Sequence, residues 1–355
     1  MATTSYGVNA NEAVKLWSRK LAREALKKTY CRRFMGKGSD SLIQIKNETN
    51  KGPGDRIRIT LRMQLSGDGV QGDNTQEGNE EALTTYVDDV VINQLRHAVR
   101  SAGKMTEQRI PFSIRDEAMA GLSDWWADRW DTWFFRQAAG HTITTDTRFT
   151  GNNAVTAPSR QVWTESSTTD DGDLDSTGDT FTLTAIDKAV ELAKTGTPPI
   201  RPVMVDGKPY YVVFIHPYQV TDLRINVSTS TVTWEGIQKA AMQGSKISDN
   251  PIFTGALGVY NGCIMHESTR VPTGVDASDG TEVTTVRRAI MCGAQTAAVC
   301  FGEGHDQSTY DWFEQLFDYG NQLGVKAGNI GGLKKLRWNS QDFGVVVMSS
   351  YAVAH

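Results

Sequence analysis

Cysteine is scarce and scattered in this chain: Cys31, Cys263, Cys292 and Cys300 are the only four in 355 residues, and no pair has metal-ligand spacing. A chain of this length buries a sizeable core without crosslinks, so they read as reduced, mostly buried thiols, not a disulfide framework. Histidine is also sparse. The six histidines, among them His97, His216, His266 and His305, form no His-Glu-x-x-His or other metal-binding arrangement. No apolar run approaches the roughly 20 residues of a membrane span. The opening Met1-Ala-Thr-Thr-Ser-Tyr-Gly-Val lacks the apolar core of a signal peptide, so a soluble product made in the cytoplasm is expected. There is no Gly-x-Ser-x-Gly elbow and no phosphate loop. Gly302-Glu-Gly-His-Asp306 lacks the third glycine and the strand-to-helix context of a dinucleotide fingerprint. Triads are recognised by geometry, so missing motifs do not by themselves exclude an enzyme. They assign no catalytic residue, no metal and no cofactor, and the expectation is a non-enzyme.

What the chain does have is an uneven charge. Its net charge is −4, yet residues 1–65 hold 14 Lys or Arg against five acids, and the next 35 residues hold seven acids against Arg96 and Arg100. A basic arm followed by an acidic loop sets up two surfaces that attract across copies of one chain, although charge runs are also ordinary solvated faces. The arm has few aromatics, Trp17, Tyr30 and Phe34. It therefore fits non-specific phosphate contact with double-stranded DNA better than base recognition.

The acids lie in a loop of unusual length. Arg56-Ile-Arg-Ile-Thr-Leu-Arg-Met-Gln-Leu65 alternates polar and apolar residues, placing Ile57, Ile59, Leu61, Met63 and Leu65 on one face. Tyr86-Val-Asp-Asp-Val-Val-Ile-Asn-Gln-Leu95 is a second, β-branched strand, expected to run on through Arg100. Hairpin loops usually take about 2–5 residues, and this one takes roughly 20, rich in glycine and acid. Such a loop buries too little apolar surface to hold itself against its own domain, so it is expected to lie on another molecule.

Elsewhere, Asn11 to about Arg33 reads as a basic helix, followed by an extended segment through Gly54. The strongest helical pattern covers 113–139, where Ile114, Ala118, Leu122, Trp126, Trp130 and Phe134 recur every fourth residue. At ~1.5 Å per residue it spans roughly 40 Å, and its aromatic stripe reads as core packing rather than a ligand platform. Further helices are expected at 184–194, from Pro217 to about Arg224, and at Trp234–Gln243. Strands are expected at Tyr210–His216, Phe253–Glu267, Arg288–Val299 and Asp342–Ser350. Polar residues 142–180 read as a surface loop or short hairpin insertion. Within it, Asp171, Asp173 and Asp175 begin like a calcium loop, but Ser176 and Thr182 stand where glycine and glutamate belong. Strands and helices mix without a regular βαβ repeat, which gives an α+β class.

Several segments resemble the major capsid protein family of tailed bacteriophages of the enterophage N-four type. They are Gly67-Asp-Gly-Val-Gln-Gly-Asp73, Glu77-Gly-Asn-Glu-Glu-Ala-Leu83, Asp89–Arg100, Lys104–Pro111, Leu257–Ser268 and Asn339–Met348, with 67–111 the most specific. The resemblance implies the Hong Kong 97-type capsid fold. It implies an N-terminal basic arm (1–55), an extended β-hairpin loop (56–110), and a peripheral domain with its spine helix (111–200). An axial domain (201–303) and a return to the peripheral domain (304–355) would follow. It further implies a head-shell protein of a double-stranded DNA phage that self-assembles into hexamers and pentamers of an icosahedral shell. Decoration, scaffolding and portal proteins would be further partners, with assembly in the bacterial host cytoplasm and no membrane role. The expected subunit interface pairs Asp68, Asp73, Glu77, Glu80 and Glu81 with Arg19, Arg23, Arg32 and Arg33 of a neighbour, the hairpin's apolar face covering that neighbour. Rival readings are an encapsulin-like cellular compartment shell, or a calcium-binding hydrolase or carbohydrate-binding module using Asp170–Asp175.

Overall fold

Ser113 and Gly140 bracket the longest helix, α2 (Ile114–Ala139), in the computed structural model of the chain. The Ser113 hydroxyl accepts from the Asp116 N–H, and Asp116 and Glu117 place negative charge on the positive end of the helix dipole. Its aromatic stripe is core, as expected. Trp126, Trp133, Phe134 and Phe135 are fully enclosed, Trp130 meets Trp133 edge to face at 4.9 Å, and the Trp130 indole N–H donates to the Tyr310 hydroxyl at 2.9 Å. The structure describes residues 21, 25, 29–46, 54–62, 65, 67–111, 113–143, 153–165, 167–175, 177–205, 207–225, 258–306 and 309–355. The helix expected at Trp234–Gln243 and most of the basic helix from Asn11 lie outside these. Leu21 and Ala25 are helical and buried, and a 3-10 turn, Tyr30–Phe34, replaces the expected helical end at Arg33.

Among the described residues, two large sheets and a ribbon accompany α2. Strands β1 (Ile43–Lys46), β2 (Arg56–Arg62), β3 (Thr85–Val91) and β4 (Asn93–Arg100) precede the short helix α1 (Lys104–Arg109). After α2 come β5 (Gln161–Trp163), helix α3 (Leu183–Thr195), β6 (Val203–Val205), β7 (Lys208–Ile215) and helix α4 (Pro217–Ile225). The further described strands of three or more residues are β8 (Gly258–Tyr260), β9 (Cys263–Glu267), β10 (Thr273–Val275), β11 (Glu282–Cys292), β12 (Ala297–Phe301), β13 (Asp311–Phe317), β14 (Gln322–Lys335) and β15 (Val345–Tyr351). One sheet joins β1, β12, β14 and β13, with β4 on the other edge of β14 and Met35–Gly36 beside β1. The second runs β5, β15, β11, β7, β9, β8, with β10 beside β11 and β6 beside β7. Helix α2 packs on the first through Trp312, Val325, Ala327 and Leu333, while α3 packs on the second through Ala185, Ile186 and Ala189.

Several expectations need correction. Residues 153–180 are not a surface loop: β5 pairs in parallel with β15, and Arg160, Asp171 and Leu174 are buried. The expected strand at Phe253–Glu267 is, from Gly258 on, a hairpin turned at Asn261-Gly262, both with positive φ, the Asn-Gly signature of a tight turn. Arg288–Val299 is not one strand but the end of β11 and most of β12, in different sheets. Thr296 holds the crossover, donating from its hydroxyl to the Gly293 and Gly344 carbonyls at 3.0 and 2.9 Å. The hairpin's second strand does not continue to Arg100; it stops at Val91, and β4 pairs with β14 instead. The β13–β14 hairpin was missed, because Gly324, Gly328, Gly331 and Gly332 thin the apolar alternation of β14. The closing strand β15 joins the sheet built mainly from 203–292, and β12 sits with 311–335.

Candidate assembly surface

The ribbon β2–β3 pairs Arg56 with Val91 and Arg62 with Thr85, so it alternates cleanly in the register that its sequence pattern demands. On the outward face Arg58 grips Asp89 through two bonds, Nε to Oδ1 at 2.8 Å and Nη2 to Oδ2 at 3.0 Å. Those donated bonds hold the Asp89 carboxyl below the usual carboxylate range and raise Arg58 in turn. On the inward face Ile57, Val90 and Ile92 pack with Ala298, Cys300, Leu336, Trp338 and Phe343, with Ile59, Leu61 and Tyr86 partly buried against them. This corrects the expectation that the ribbon's apolar face covers a neighbour. At its base, that face covers the subunit's own first sheet.

A buried acid fixes the base. Asp88 is in an ion pair with Lys334, whose ammonium also donates to the Asp89 carbonyl at 3.0 Å. The second Asp88 oxygen accepts from the Arg337 N–H at 3.0 Å. Next door, Lys335 is buried against Asp342 at 3.1 Å; desolvation pulls its pKa down, and Asp342 opposes that shift.

Beyond this anchor the chain leaves the body. Residues 67–84 are exposed apart from the half-buried Val70, and the loop bonds to itself. Glu81 accepts from the Gly67 N–H at 2.7 Å and closes the neck, and Glu80 accepts from the Gly78 N–H at 2.8 Å. Asp68, Asp73 and Glu77 are exposed and make no hydrogen bond or ion pair among the described residues. Of the expected basic partners, Arg19 and Arg23 lie outside the described residues. Arg32 and Arg33 are exposed on the Tyr30–Phe34 turn, with Arg33 4.8 Å from the Tyr30 ring centroid. That turn is clamped to α2 by Asp131, whose two oxygens accept from the Tyr30 and Cys31 N–H groups at 2.9 Å. Among the described residues no ion pair joins the acidic loop to this turn within one chain. Sequence reasoning missed Asp88, Asp131, Lys334 and Lys335 as positioning residues. The partners of Asp88, Asp131 and Lys334 lie 100 to 249 residues away, beyond any local pattern.

The aspartate run is a different matter. Asp171 is 1% exposed and pairs with Arg288 at 2.6 Å, so it is neither solvated nor available to a cation. Among the described residues no group of acids, histidines or cysteines could hold a metal, and no helix is long and apolar enough to cross a membrane.

Comparison with known proteins identifies the family to which this ribbon, sheet and long helix belong. The family model described as phage capsid protein matches residues 4–354. The chain belongs to the phage capsid protein family. The capsid of Ralstonia phage GP4 is 32% identical, with a TM-score of 0.77 over 99% of each chain. The major capsid protein of Pseudomonas phage KPP25 is 27% identical over 97% of this chain and 96% of that protein. The Cyanophage Pam1 capsid, 19% identical with a TM-score of 0.72, covers 100% of this chain and 97% of its own and shows the fold alone. This is a major capsid protein of the tailed-phage type with an α+β Hong Kong 97-type fold, a structural protein that self-assembles into the virion shell. The match over nearly the whole length of phage capsid proteins favours the phage shell over a cellular compartment. The capsid subunit's Asp171–Arg288 pair removes the calcium-module reading.

Proposed function

We propose that copies of this subunit form hexamers and pentamers that close an icosahedral head around double-stranded DNA, with the ribbon loop of each copy resting on a neighbour. The carrying observation is the contrast along the ribbon: a base locked by Asp88 and the Trp338 cluster, and a tip whose Asp68, Asp73 and Glu77 have no partner among the described residues. In this reading α2 with the first sheet forms the peripheral body, and α3, α4 and the second sheet form the axial body. Individual exposed ion pairs contribute only about 0–1 kcal/mol, but a closed shell repeats each interface many times. No step in shell closure calls for catalysis.

The test reverses the three free acids together, Asp68→Lys, Asp73→Lys and Glu77→Lys. Glu80 and Glu81 are spared because they hold the loop's own turns. Circular dichroism should show a folded subunit, and negative-stain microscopy should show few or no closed shells. Normal shells from this variant would overturn the intersubunit role of the loop.

A further inference from the structure

One face of the first sheet is half covered. Residues 322, 324, 326, 328, 330, 332 and 334 of β14 point away from α2, and the ribbon's own base covers the end of that face near Ile330, Gly332 and Lys334. The other end, formed by β4, β13 and the first half of β14, stays open. The register places Arg96, Ala98 and Arg100 of β4 beside Gly328, Lys326 and Gly324 of β14, with Asp311, Phe313 and Gln315 of β13 on the far side. Glycines at every fourth position make this strip flat. A side chain at Gly324 would meet the Phe317 ring at 2.7 Å, and one at Gly328 would meet the Arg96 stem at 3.2 Å. The bare backbone thus lets Phe317 and Arg96 lie down on the sheet. Arg100 stacks over Phe317 at 4.3 Å and Lys326 lies over Phe313 at 5.8 Å, so the cations are held on rings. Arg96, Arg100 and Lys326 are in no ion pair among the described residues, and Phe313 is 43% exposed. Asp311 is the only carboxylate in this register on the open end, and it faces His305 at 3.2 Å.

We infer that this open half-face is the seat of the acidic loop of a second copy of the chain. The inference rests on the reading that the loop acts between copies, and it moves the receiving surface from the N-terminal arm to the sheet. Charge complementarity selects the occupant. From residue 63 to residue 95 the chain carries acids and no Lys or Arg, whereas the open face carries three cations. Continuity supports it: each subunit's ribbon base already covers one half of this face, and a neighbour's ribbon extends that layer over the other half. The flat glycine strip admits close approach of loop backbone, which itself holds Gly67, Gly69, Gly72 and Gly78.

The experiment is a charge swap with a covalent readout. The variant Arg96→Glu, Arg100→Glu, Lys326→Glu should lose closed shells, and combining it with Asp68→Lys, Asp73→Lys, Glu77→Lys should restore them. Thr75→Cys with Ala98→Cys should give crosslinked multimers on oxidation of shells, while either change alone gives none, because the four native cysteines are buried. This pair leaves the cations intact, so it reads the contact even if the triple variant misfolds. If the face variant builds normal shells while the loop variant does not, the seat is wrong and the loop reading stands. If both variants build normal shells, both fail. Full-sized shells lacking DNA would make the face a nucleic-acid surface, and failure of both rescue and crosslinking would place the loop elsewhere; either result overturns the proposal.

Discussion

Arg288 shows how much one buried side chain can organise. Its Nε meets Asp171 at 2.6 Å, its Nη1 donates to the Ala139 and Gly140 carbonyls at the end of α2, and its Nη2 donates to Val275 O at 3.2 Å. Asp171 in turn accepts from Gln161, Trp163 and the Val275 N–H. One ion pair therefore joins the spine helix, the 170s segment and the second sheet. Arg288→Met should cost about 3–5 kcal/mol, because it strands a buried carboxylate, and the double change Arg288→Met, Asp171→Leu should recover much of that. Urea unfolding followed by tryptophan fluorescence measures both. A loss below about 1 kcal/mol would mean the pair behaves like a surface one. The acids of 170–175 were visible in the sequence as a run, but the role of Asp171 was not. A partner 117 residues away decides it.

At the scale of elements the proposed assembly role rests on the ribbon. Its strands were legible because alternation at Ile57, Ile59 and Leu61 reports a two-faced strand directly. Where that face goes was not legible, since an apolar face packs equally well on a neighbour or on its own sheet. Asp88 settles the aim. Asp88→Ala keeps the β2–β3 ladder and the Trp338 cluster but leaves Lys334 with only the Asp89 carbonyl and the Arg337 N–H without its acceptor, a loss of about 1–3 kcal/mol. Hydrogen exchange at residues 85–91 should quicken and shell yield should fall. Unchanged exchange there would show that the apolar cluster alone holds the ribbon.

For the whole molecule, acid should loosen the subunit before its carboxylates titrate. Burial lowers His141, His216 and His266 below the ordinary value near 6.5, His216 to about 4, with Arg287 adding to the effect at His216. A folded-state pKa below the unfolded one means the unfolded chain binds more protons between these values. This stability is fully present above pH ~6.5 and is lost as the pH falls toward about 4. Thermal unfolding from pH 7 to pH 5 should show a falling midpoint, and His216→Gln should flatten the slope. Equal slopes would remove His216 from the account.

The spine helix, the ribbon strands, the acidic loop and the charge split are written locally, in periodicity, caps and composition, which is why a linear reading finds them. The division into two sheets, the burial of Asp171, the latch at Asp88 and the open cationic face at Arg96, Arg100 and Lys326 depend on contacts between distant segments. Strand pairing and buried ion pairs are long-range, and their energies appear only once the chain has closed on itself.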